Sequence, residues 1–84
     1  MLNIYALHDI EGKVFQRPIA LADDVVAKRQ FRIVCKNELG EFKNEFEYCK
    51  IGVLDEKTGK ILPCETPEVI ITGSIVQFKR EEEK

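Results

Sequence analysis

The chain has 84 residues, a formal charge of −2 and 44% hydrophobic residues. That length makes one domain, residues 1–84, with a small core that buries roughly 60–65% of the unfolded surface. The acidic balance excludes a protein that coats nucleic acid by bulk charge. No apolar run approaches the ~20 residues of a membrane-spanning helix, and Met1–Leu7 lacks the pattern of a signal peptide.

Leu2–His8 alternates as a strand should, with Leu2, Ile4 and Ala6 on one face and Tyr5 and Leu7 on the other. Asp9–Lys13, DIEGK, carries turn residues, and Val14–Gln16 can return as a short second strand of a hairpin. Pro18 then forces an extended or turn geometry at Arg17 and stops any helix there.

The segment Ala22–Asn37, ADDVVAKRQFRIVCKN, predicts an amphipathic helix. Asp23 or Asp24 can cap its first N–H groups, and both charges suit the positive end of its dipole. Ala27, Phe31, Val34 and Cys35 gather on the side a core would take. Lys28, Arg29, Arg32 and Lys36 fall within an arc of roughly 100° at about 100° per residue. From Lys13 to Lys36 there are six Lys or Arg against two acids, so this ridge is a local exception in an acidic chain. Arg32 and Lys36 also suit the negative end of the helix dipole, which gives them a structural reason to be there. Asn37 and Gly40 are stop signals.

Phe46–Leu54 predicts a strand in which Phe46, Tyr48 and Lys50 alternate with Cys49, Ile51 and Val53. Gly52 inside it marks a bulge or a close approach of another backbone. Asp55–Gly59 is a hairpin turn. Lys60–Leu62 is the returning strand, with Pro63 as its expected end and Glu65–Pro67 as a connection. Val69–Thr72 and Ile75–Phe78 are β-prone and separated by Gly73–Ser74, and Arg80–Lys84 is expected as a frayed, solvated end. The sum is α+β: a small, mostly antiparallel sheet with one amphipathic helix packed on one face.

Catalytic patterns are absent from the sequence, and we expect no enzyme. His8 is the lone histidine and Ser74 the lone serine, outside any G-x-S-x-G context. The glycines are too scattered to cradle a phosphate. Cys35, Cys49 and Cys64 form no C-x-x-C pair, and an odd number cannot all close within one chain. They are expected as reduced, buried thiols. A zinc site of the three cysteines with His8 is arithmetically open but lacks the close-spaced ligand pairs of small zinc sites. No metal and no cofactor is therefore expected.

Binding is what remains. Lys28, Arg29, Arg32 and Lys36, with Arg17 alongside, can meet phosphates. Tyr5, Phe15, Phe42, Phe46, Tyr48 and Phe78 are available for stacking on a base; most are needed for the core, and Phe42, in the polar stretch ELGEFKNE, is the best exposed candidate. The other reading is a protein–protein adaptor, or a self-assembling module, in which the basic helix face meets an acidic surface. The uneven charge suits head-to-tail association, so a homo-oligomer is expected.

Three stretches in order carry a family resemblance: Ile4-Tyr5-Ala6-Leu7-His8-Asp9, then Ala27-Lys28-Arg29-Gln30-Phe31 as A-x-R-x-F, then Glu45-Phe46-Glu47-Tyr48-Cys49-Lys50-Ile51-Gly52 followed by Asp55 and Thr58-Gly59. From Met1 to about Ile61 the chain resembles the small nonstructural protein of gokushovirus-type microviruses, which are bacteriophages with single-stranded DNA genomes. The resemblance implies a viral accessory protein in the host cytoplasm. Its role would lie in the passage from duplex replication to single-strand synthesis and genome packaging, with viral or host replication or packaging proteins as partners. Within the match Arg29 is the motif residue that is also basic. Ala27 and Phe31 read as core, and Gly52, Asp55 and Gly59 as determinants of the fold.

Overall fold

Strand β1, Leu2–Asp9, lies inside a four-stranded antiparallel sheet of order β2-β1-β3-β4, completed by β2 (Val14–Leu21), β3 (Phe46–Leu54) and β4 (Ile61–Thr72). One helix, α1 (Asp24–Val34), crosses one face. This α+β architecture is the one the sequence predicts. The computed structural model describes residues 1–78, so the expected tail Arg80–Lys84 lies outside the described residues.

The β1–β2 hairpin turns where DIEGK predicts, with the Asp9 carboxylate accepting from the Gly12 N–H at 2.9 Å. Strand β2 does not stop at Gln16. It continues through Pro18 to Leu21 because it is an edge strand, where a missing N–H need not interrupt a ladder. Its register slips at Arg17–Pro18: Leu7 faces Gln16 and Tyr5 faces Ile19, so two residues stand opposite Ala6. Arg17 takes φ 55° in this bulge.

Helix α1 starts as its cap predicts. Asp23 Oδ1 accepts from the Val26 N–H at 2.9 Å. Ala27, Phe31, Val34 and Cys35 are buried against Tyr5, Leu7, Tyr48 and Ile71. Phe31 and Tyr48 stack at 5.5 Å between ring centroids, and Tyr48 stacks on Tyr5 at 5.9 Å. The chain does not leave helical geometry at Asn37. A π-helical turn spans Cys35–Leu39, closed by the Gly40 N–H on the Cys35 carbonyl, and a 3-10 segment follows over Gly40–Glu45. Burial of Leu39 carries the apolar stripe one turn beyond Cys35 and past Asn37, and the stop falls at Gly40, with φ 54°.

Strand β3 has the predicted bounds, and Gly52 sits at slips in register against both neighbours. The turn after it is the expected one: the Asp55 carboxylate accepts from the Lys57 N–H at 3.0 Å, and Gly59 takes φ 78°. Two expectations fail in the C-terminal part. Pro63 does not end the returning strand, because β4 is the other edge and runs on to Thr72. Between Gly52↔Pro63 and Lys50↔Glu68, β3 has one residue and β4 has four, so Cys64–Pro67 bulge outward where the sequence predicts a connection. Ile75–Phe78 forms no strand. The chain leaves the sheet in a 3-10 turn at Gly73–Ile75 and buries Val76 in the core beneath the helix.

Tyr5 ties the sheet to the helix start. Its hydroxyl donates to Asp24 Oδ1 at 2.6 Å and accepts from Asn3 Nδ2 at 3.0 Å. Burial, and then the bond to Asp24, push its pKa up to about 12. A proton held more tightly in the folded state contributes stability below the unfolded value, about 10, and that contribution is lost as pH rises toward the folded value. Burial shifts Tyr48 and Cys49 in the same direction. The urea midpoint should therefore fall as pH climbs through this alkaline window. Tyr5→Phe should lower stability at neutral pH by about 1 kcal/mol and flatten part of the alkaline loss. An alkaline slope unchanged by Tyr5→Phe would count against Tyr5 as its source.

Candidate nucleic-acid interface

The register of α1 decides which cations share a surface. Turning Ala27, Phe31 and Val34 inward leaves Arg29, Arg32 and, in the π-helical turn, Lys36 exposed on the outer flank. Lys28 is half-buried beside them. Arg29, Arg32 and Lys36 border one shallow cleft of about 320 Å³. Its opposite wall is Val76, Gln77 and Phe78, the segment that leaves the sheet after Gly73. No carboxylate of the described residues lies within ion-pair distance of Lys28, Arg29, Arg32 or Lys36.

Arg17 does not join this ridge. It lines a separate cleft with Pro18, Gln30 and Val34, on the other side of the buried helix face. There its guanidinium donates to Glu38 Oε1 at 2.6 Å. Phe42 is exposed, as expected, but sits on the 3-10 segment and does not line the basic cleft.

The aromatic ring at the cleft is Phe78, which is 40% exposed. Lys43 Nζ lies 5.8 Å from its centroid, a cation–π distance, and also donates to the Gly73 carbonyl at 3.1 Å. Sequence reasoning missed this pairing because Ile75–Phe78 looks like a strand. Nothing local signals that the chain turns back along the helix.

The arrangement puts three solvated cations and one aromatic face around a concave surface. Cations meet phosphates with little demand on geometry, and a ring offers a stacking platform to any base. A family model described as Phage ORF5 protein matches residues 2–76. The chain belongs to the phage ORF5 protein family. No curated protein matches it, and no solved structure does. In this ORF5 protein the matched region takes in Arg29, Arg32, Lys36 and Val76 but stops before Phe78, so the cations of the cleft lie within the family match and its aromatic ring does not. Among the described residues, no helix of the ORF5 protein is long and apolar enough to cross a membrane.

Proposed function

We propose that this phage ORF5 protein is a non-enzymatic, nonstructural accessory protein of a microvirus that binds single-stranded DNA during genome replication or packaging. It would work as a homo-oligomer in the host cytoplasm. The observation that carries the reading is the cleft in which Arg29, Arg32 and Lys36 face Phe78. Cations on one wall suit phosphates, and an exposed ring on the other suits an unpaired base. The chain is acidic overall, so this cluster of cations is a local exception in its charge. The resemblance to microvirus nonstructural proteins supports the single-stranded ligand.

The test is binding of labelled single-stranded and duplex oligonucleotides across a salt series. Three contacted phosphates should give a slope of about −2 in log K against log salt, at about −0.7 per phosphate on a single strand. Arg29→Glu/Arg32→Glu should reduce that slope to about −0.7 or less and remove most of the affinity while leaving the thermal midpoint almost unchanged, because both side chains are exposed. Phe78→Ala should weaken single-strand binding and spare whatever duplex binding exists. No binding at low salt, or binding indifferent to the charge reversal, overturns the proposal. Loss of self-association in the charge-reversed variant without any DNA binding in the parent would favour the adaptor reading instead.

A further inference from the structure

The sheet face away from α1 brings together three donors that the sequence keeps far apart. His8 lies on β1, directly opposite Glu47 on β3. Cys49 follows Glu47 by two residues, on the same face, opposite Ala6. His8 Nδ1 is 2.7 Å from Glu47 Oε2, and Cys49 Sγ is 4.0 Å from that same oxygen. The imidazole nitrogen, the carboxylate oxygen and the sulfur all lie within 4.8 Å of one another.

We propose that His8, Glu47 and Cys49 form a binding site for a divalent transition metal, zinc foremost. One nitrogen, one oxygen and one sulfur donor suit zinc, which takes all three, and do not suit magnesium or calcium, which prefer oxygen. The size is right as well. Bonds of about 2.0–2.3 Å in a tetrahedron separate the donors by roughly 3.3–3.8 Å. The nitrogen–oxygen pair would open from 2.7 Å and the sulfur–oxygen pair would close from 4.0 Å. Both adjustments are within the reach of side-chain torsions, because paired strands fix the three Cα positions.

The burial is graded in a useful way. Cys49 is buried and forms the floor, while the His8 and Glu47 side chains are 22% and 17% exposed and form the mouth. The fourth position faces solvent and takes water. Phe15 stacks on the His8 ring at 4.1 Å between centroids and holds its plane. In the metal-free protein the 2.7 Å contact has Nδ1–H donating to Glu47; on binding, the Cys49 thiol proton leaves to solvent and the His8 proton passes through solvent from Nδ1 to Nε2, which frees the Nδ1 lone pair. The bound ion links β1 to β3, the pair at the middle of the sheet. This is not the set of three cysteines with His8 considered from the sequence: Cys35 belongs to the core beneath the helix and Cys64 to the bulge of β4.

The experiment is titration of the reduced, chelator-free full-length protein with Co²⁺, followed by displacement with Zn²⁺. One equivalent of Co²⁺ should raise a sulfur-to-cobalt charge-transfer band and the intense visible bands of a tetrahedral site. Cys49→Ser should remove the charge-transfer band, and Cys64→Ser should leave it intact. His8→Ala should weaken binding by more than the roughly 10–100-fold typical of losing a ligand's outer partner. Zinc-edge X-ray absorption of the unmodified protein should count one sulfur. A wild-type protein without the bands, a band that survives Cys49→Ser, or a shell with no sulfur or with two or more overturns the site.

Discussion

Gly73→Ala should remove a large part of the protein's stability, about 3 kcal/mol. A methyl group at residue 73 would run into the Lys43 carbonyl oxygen and stand 3.1 Å from that of Phe46. Both obstacles are backbone, so no side chain can swing aside. The end of β4 and the 3-10 segment Gly40–Glu45 would have to separate, and with them the Lys43 bond to the Gly73 carbonyl. Overpacking typically costs about 1–3 kcal/mol and occasionally more, and a clash with backbone belongs at the upper end, against roughly 4–13 kcal/mol expected for the stability of 84 residues. Gly59→Ala is the informative comparison. Gly59 has φ 78° with nothing within 4 Å of its added methyl, so that substitution should cost only the left-handed penalty of about 1–2 kcal/mol. Urea denaturation of the two variants measures the difference. Equal midpoints would show that the contact at Gly73 yields more readily than its geometry implies.

Phe31→Ala should remove about 3–5 kcal/mol. Phe31 is fully buried and stacked on Tyr48, so its loss opens a cavity between helix and sheet that neighbouring side chains fill only in part. Ile33→Ala, at an exposed position two residues on, should change stability by less than about 0.5 kcal/mol. Calorimetry or circular dichroism melts report both. The pair also separates two routes to lost DNA binding. Phe31→Ala should lose binding only at temperatures where the helix has come away, whereas reversal of Arg29 and Arg32 should lose it in a folded protein. A Phe31→Ala protein as stable as the parent would mean that the helix is not held by this face.

The parts of the fold legible in the sequence are those written in local chemistry. Asp23 caps because its carboxylate reaches an N–H three residues ahead. Ala27, Phe31, Val34 and Cys35 are inward because a helical period puts them on one side. Strand β3 keeps its predicted bounds. What the sequence hides depends on position within the sheet. Prolines at 18 and 63 look like strand breaks until β2 and β4 are known to be edges. The site is divided in the same way. Helical spacing alone groups Arg29, Arg32 and Lys36, but Phe78 joins them only through a turn at Gly73 whose direction no local signal sets. His8 and Glu47, 39 residues apart, meet only through strand register.

The sheet order β2-β1-β3-β4 also sets a timetable for the nascent chain. Strand β1 is an inner strand, yet its second neighbour, β3, is not complete until Leu54 has been made. Until then a β1–β2 hairpin carries an open inner edge, with its hydrogen-bonding groups in water. That open edge is the part of the folding chain most exposed to wrong pairing. Rapid closure of α1 onto the hairpin, through Phe31 on the Tyr5 side, would protect one face of that edge while the chain waits for its partner.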